Sequence, residues 1–162
     1  MRIIGIDPGT ATIGWGVIED TGGKPVSVAY GHIQTPKTDS PEDRLFQLSE
    51  ELQAILHAYQ PEEASVEELF FSTNVKTAIS VAEARGVILL TLRRFGVIIA
   101  GYNPLQVKQA LTGYGKADKQ QMQQMVKNLL HLESIPKPDD TADALAIALC
   151  HASSRKMNHL RS

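Results

Sequence analysis

The chain carries one cysteine, Cys150, and no cluster of cysteines and histidines at zinc-binding spacing. A single thiol excludes an internal disulfide and fits a reducing compartment. The missing Cys/His spacing removes a structural zinc site from consideration. No apolar run approaches the roughly 20 residues that cross a bilayer. The opening MRIIGID lacks the small-residue cleavage site of a secretory signal and leads straight into a strand pattern. These absences lead us to expect a cytoplasmic protein with no membrane partner. Neither charge sign prevails: the net charge is −2. A nucleic-acid partner is neither required nor excluded by that balance, but it would need the cations gathered on one face and the acids elsewhere. Repeats and low-complexity tracts are also missing. The 162 residues, 43% hydrophobic, suit one domain built on one core.

What is present reads first as three strands. Residues 2–7 are short and almost wholly apolar, the pattern of a central strand buried on both faces. Residues 12–19 set Ile13, Trp15 and Val17 against small residues, and residues 26–34 follow the turn TGGK. Short turns between adjacent strands predict an antiparallel meander. Ser40-Pro41-Glu42-Asp43 then offers an N-cap, a proline at the first helical position and an acid at the third. Leu45, Leu48, Leu52, Ile55, Leu56 and Tyr59 keep helical spacing behind it.

Beyond that helix the pattern alternates. We expect a strand over 64–68, a helix over 74–94, a strand over 96–101 and a helix opened by Asn103-Pro104. The glycine-punctuated loop LTGYGKAD precedes a helix starting near Asp118, and the last helix covers 140–152. Alternating helices and strands require parallel pairing with helical crossovers. The expected fold is α/β: a mixed five-stranded sheet with helices on both faces, in one domain over 1–153. The polar, basic segment 154–162 is expected to be a loose tail.

Four carboxylates in three places carry the chemistry. Asp7 ends the first buried strand, although Asp before Pro-Gly is also ordinary turn chemistry. Glu67 and Glu68 end the fourth strand, and since successive strand residues face opposite sides, only one can face Asp7. Parallel pairing brings that strand's end beside the first, and sites in open α/β sheets form at such carboxyl ends. In PDDTADALAIALCHA, Asp140 and Asp143 are three apart, so they share one helix face about 5–6 Å apart at Cβ. That face continues through Ala146, Ile147 and Cys150, so Asp143 points toward the core side. The helix dipole explains Asp139 and Asp140 but explains Asp143 less well, a turn further in. Uncompensated carboxylates packed together would raise one another's pKa and destabilise the fold. An all-oxygen ligand set favours Mg²⁺ or Mn²⁺. Four carboxylates can hold two such ions roughly 3.5–4 Å apart, the arrangement that clamps the attacking and leaving oxygens of a phosphodiester.

GIDPGTATIGWGVI, VEELFF, EARGV and DDTADALAIA, in this order and spacing, resemble the RuvC family of Holliday-junction resolvases. The resemblance covers nearly the whole chain, to about residue 153. It implies a ribonuclease H-like fold and a homodimeric endodeoxyribonuclease of the bacterial cytoplasm. Such an enzyme nicks two opposed strands of four-way junction DNA in recombination and repair. It uses Mg²⁺ or Mn²⁺, which four carboxylates could hold two per subunit, and works alongside the RuvA–RuvB branch-migration complex. It further implies that Asp7, Glu67, Asp140 and Asp143 are the catalytic metal ligands, with Glu68 only a neighbour. Phe70 falls where the family stacks an aromatic ring on junction bases, and Lys108 and Lys119 fall on family lysines.

The residues themselves say less about these accessory positions. Phe70 and Phe71 follow a strand end, and one of them is expected inward. Lys108, Lys116, Lys119 and Lys127 cluster after the last strand; Lys127 reads as a solvated face and the others as DNA-phosphate candidates. Lys119 opens a helix behind an Asp118-x-x-Gln121 cap, where a cation meets the dipole unfavourably. A role for Lys119 near the scissile oxygen is therefore reasonable. The helix over 74–94 is apolar on more than one side, which suits a partner chain. His32, His57, His131, His151 and His159 are scattered and none is assigned a role. Rival readings are an actin-like ATPase, whose phosphate loop also reads GIDPGT but whose fold needs two domains, a non-catalytic junction binder, and a nuclease of the same fold acting on RNA.

Overall fold

A computed structural model of the chain describes residues 1–68 and 75–159. Three strands come first: β1 (Arg2–Asp7), β2 (Thr12–Asp20) and β3 (Pro25–Gln34). There follow α1 (Pro41–Tyr59), β4 (Glu63–Glu67), α2 (Val75–Phe95), β5 (Ile98–Tyr102), α3 (Pro104–Thr112), α4 (Lys119–Leu129) and α5 (Asp139–His159). The strands form a five-stranded sheet in the order β3-β2-β1-β4-β5. β1, β2 and β3 pair antiparallel, whereas β1 with β4 and β4 with β5 pair parallel. The mixed sheet expected from the sequence is thus present.

Two apolar layers sandwich it. On one face Ile4, Ile6, Ile13 and Val17 pack against Leu48, Leu52 and Leu56 of α1 and Ile88 and Leu92 of α2. On the other, Ile3 and Ile18 meet Val107 of α3, Val126 of α4, and Leu145 and Leu149 of α5. Alternation along β1 sends Ile3 to one layer and Ile4 and Ile6 to the other, which is why the strand reads as continuously apolar.

The helix starts follow the sequence signals. The Asp43 amide donates to Ser40 Oγ at 3.1 Å. Asn103 with Gln106, and Asp118 with Gln121, form reciprocal capping boxes. Two boundaries differ from expectation. Gly96 does not open a strand: at φ +88 it closes α2, its amide donating to the Arg93 carbonyl at 3.1 Å, and β5 begins at Ile98. Within the segment expected to be a loose tail, residues 154–159 are helical, because α5 continues to His159. A tertiary ion pair holds that extension, Arg155 Nε lying 3.0 Å from Glu63 Oε2, while within the helix Ser154 Oγ donates to the Cys150 carbonyl at 2.9 Å.

The contact that positions the site is α5 on the sheet. Gly5, Gly14 and Gly16 lie directly beneath it. A Cβ at Gly5 would run into the Ala144 carbonyl and the Ala148 backbone; one at Gly14 would run into the Asp140 carbonyl; one at Gly16 would meet the Leu145 side chain. Missing side chains on β1 and β2 and alanines on α5 therefore allow backbone-to-backbone approach. Ser65 Oγ donates to the Ile147 carbonyl at 3.1 Å and Thr141 Oγ1 to the Gly31 carbonyl at 3.2 Å, which fixes the helix along the sheet. Gly5→Ala must push α5 away, and should lower stability by about 1–3 kcal/mol in urea denaturation.

Candidate metal and nucleic-acid site

β1 and β4 end side by side. Their parallel register pairs Ile6 with Val66, so the next residues, Asp7 and Glu67, emerge together at the carboxyl end of the sheet. The two side chains share a hydrogen bond. Glu68 turns the other way: its carboxyl group covers Gly101, and its amide donates to the Tyr102 carbonyl at 2.9 Å. The choice between the two glutamates, open in the sequence, falls on Glu67 by strand alternation. Arg85 Nε donates to the Glu67 carbonyl at 3.0 Å and anchors the strand end from α2.

α5 delivers the other acids. Asp140 and Asp143 stand one turn apart over β1, and oxygens of Asp7, Asp140 and Asp143 all lie within 4.8 Å of one another. All three residues are half-buried. Without a cation the arrangement is electrostatically unfavourable. Burial, and then the charges of Glu67 and Asp143, push the Asp7 carboxyl up to about 9. Burial also raises Glu67 and Asp143 above the usual carboxylate range; the Asp7 hydrogen bond partly offsets the first, and the Lys119 ammonium the second. The donors are all carboxylate oxygens, half-buried and mutually repelling. A hard divalent cation such as Mg²⁺ or Mn²⁺ fits that set and would favour the ionised form of every member.

A groove of about 170 Å³ adjoins this cluster, lined by Glu67 and Asp143 together with Lys108 and Lys119. Val107, Met122 and Ile147 form its apolar floor. Lys108 and Lys119 thus line the same cleft as the acids. Lys116 lies exposed in the turn between α3 and α4 and is not among the groove residues. Phe70 lies outside the described residues.

Two features escaped the sequence reading. Asp139, assigned there only to the helix dipole, lies 3.1 Å from Lys119 Nζ and 2.9 Å from Lys137 Nζ. Lys137 and then Lys119 hold its carboxyl down at about 2, and Asp139 in turn raises the Lys119 ammonium. A lysine two residues before the acid, in KPDD, is the sequence trace of the Lys137 half of this bridge. His151 is buried at the opposite end of β4, with Nδ1 2.8 Å from the Tyr102 hydroxyl and Nε2 2.6 Å from Glu63 Oε2. Nothing in its spacing marks it.

The model of the family described as "Crossover junction endodeoxyribonuclease RuvC" matches residues 3–151. This chain belongs to the RuvC family. The RuvC of Syntrophomonas wolfei subsp. wolfei is 49% identical over 158 residues, covering 98% of this chain and 92% of that protein. That of Desulfitobacterium hafniense is 55% identical over 154 residues, covering 95% and 93%. Among solved structures, Thermus thermophilus RuvC in complex with Holliday junction substrate superposes with a TM-score of 0.92 at 36% identity, covering 98% of this chain and 96% of that one. The fold is accordingly the ribonuclease H-like α/β fold of RuvC.

The metal-free protein should lose stability as the pH rises from about 4 toward about 9. Across that window the unfolded chain releases the Asp7 proton while the folded chain still binds it. The raised Glu67 and Asp143 act in the same direction. Saturating Mg²⁺ should oppose the loss, with a stabilisation that grows with pH. Asp7→Asn should remove most of both effects. Chemical denaturation at about pH 5 and about pH 8, with and without chelator, measures each arm.

Proposed function

We propose that this RuvC-family chain is a Holliday-junction resolvase. It cuts two opposed strands of four-way junction DNA by symmetric nicks, in recombination and repair within the cytoplasm. The observation that carries the reading is the convergence of Asp7, Asp140 and Asp143 within 4.8 Å at the sheet end, beside Glu67 and a lysine-flanked groove. Asp7, Glu67, Asp140 and Asp143 are the side chains that would hold Mg²⁺ or Mn²⁺, two per subunit. Bound there, such ions would supply acidification of an attacking water and charge compensation on the phosphodiester.

The side chains around them orient the substrate. Lys119 faces the developing charge at the scissile phosphate. Lys108 contacts a neighbouring phosphate across the groove, and Lys116 meets the backbone further out. Phe70, following the strand that carries Glu67, stacks on a base of the opened junction.

Paired cuts require two sites related by a twofold axis, and hence a homodimer. Support for that assembly comes from α2. Ala84, Ile88 and Leu92 face the core, while Ile79 is 62% exposed and Leu90 54% exposed. An apolar outer face on a long helix suits a second copy of the chain. By family resemblance the dimer works with the RuvA–RuvB branch-migration complex.

A gel assay on a synthetic four-way junction tests the activity. With Mg²⁺ the wild type should give symmetric nicks, and Asp7→Asn should cut more than about a hundredfold more slowly, beyond the usual loss from a ligand's outer partner. An uncut junction, or equal cutting by the variant, rejects the reading. Phe70→Ala should weaken junction binding by about 1–3 kcal/mol at unchanged melting temperature. Wild-type affinity would remove the stacking role.

A further inference from the structure

Asp139 is not an ordinary first-turn acid. Its carboxylate accepts from donors on two segments: Lys119 Nζ at 3.1 Å and Gln123 Nε2 at 3.1 Å from α4, and Lys137 Nζ at 2.9 Å from the turn before α5. Gln123 is itself 8% exposed, so the amide is a fixed partner rather than a mobile surface group. The next residue, Asp140, belongs to the acid cluster, and Lys119 lines the groove together with Glu67 and Asp143. One carboxylate therefore gathers two ammonium groups at the edge of the site.

Both lysines remain open to an incoming ligand. Their side chains are 57% and 69% exposed, and each ammonium has three donors, of which Asp139 takes one. Lysine is a compact charge on a flexible stem, so an ammonium without a partner samples many positions. A shared carboxylate restricts both to the same place. A phosphate diester oxygen carries the same charge as Asp139 and accepts from the same donors, so it can bridge the two cations from the solvent side. Exposed ion pairs contribute little to folding, so the bridge is better explained by placement than by stability.

We propose that Asp139 is a positioning residue that holds Lys119 and Lys137 as a paired cation at the groove rim, and that Lys137 is a further DNA-phosphate contact beside the cutting site. This rests on the nuclease reading above. The test uses the full chain. Junction binding is measured with Ca²⁺ in place of Mg²⁺ over a range of salt, and single-turnover cleavage is measured with Mg²⁺. Lys137→Gln should weaken binding several-fold and reduce the slope of log affinity against log salt by about one. Lys137→Arg should restore both. Asp139→Asn removes a negative charge facing DNA while loosening the pair. It should therefore bind the junction as tightly as wild type or tighter, yet cut about tenfold more slowly at saturating DNA, with its melting temperature unchanged. That opposed movement of affinity and rate is not what a structural role produces. A wild-type salt slope for Lys137→Gln, or a wild-type cleavage rate for Asp139→Asn, overturns the inference. So does a parallel fall in affinity, rate and melting temperature for Asp139→Asn. Wild type that neither binds nor cuts the junction rejects the nuclease reading itself; wild type that cuts while the variants match it rejects this inference alone.

Discussion

The close seating of α5 on the glycines of β1 and β2 is the constraint from which the site follows. Asp7 is fixed by the sheet, and Asp140 and Asp143 by the helix. The two elements meet at backbone distance only because Gly5, Gly14 and Gly16 present no side chain and Ala144 and Ala148 present very small ones. Any Cβ at Gly14 would fall on the Asp140 carbonyl, the residue that carries one of the acids. The sheet surface and the geometry of the acid cluster are therefore one structural feature. Parallel pairing of β4 with β1 adds Glu67 at the same edge by register alone.

That geometry is costly in the absence of cations. Several carboxylates, half-buried and within reach of one another, oppose ionisation, and Asp7 bears most of the burden. The fold tolerates the cluster because it is confined to one end of a sheet whose central strands are otherwise buried on both faces. Ile4, Ile6 and Val66 sit under α1 and α2, and Ile3 and Ile18 under α3 to α5. Stability comes from these layers, while the sheet end carries electrostatic strain of a kind that a divalent ion would relieve. The same logic explains the lysines. They line the same groove as Glu67 and Asp143, so positive charge stands close to the acids.

Much of this was legible in the residues. The continuous apolar run of β1, the Ser40-Pro41 start of α1 and the Asp118-Gln121 box are local signals, and each corresponds to an element or cap in the structure. The three-residue spacing of Asp140 and Asp143, with Ala146 and Ile147 continuing the same face, was enough to aim that face inward. What could not be read depends on tertiary partners. The segment after Ala152 is polar and looks loose, but Arg155 finds Glu63, far away in sequence, and the helix persists. Gly96 reads as part of an apolar strand until its positive φ shows it terminating α2. Asp139 looks like a dipole-compensating acid until Lys119 and Lys137 converge on it. Nothing in the spacing of His151 reveals that Tyr102 and Glu63 enclose it.

The central claim is that carboxylates from β1, β4 and α5 form one pocket that a divalent ion completes. Anomalous scattering from Mn²⁺-soaked crystals tests it most directly. The account predicts a strong peak bound by Asp7 together with carboxylates of α5, present in the wild type and lost in Asp7→Asn. An absent peak, or Mn²⁺ bound at other residues with Asp7 left uncoordinated, would contradict it.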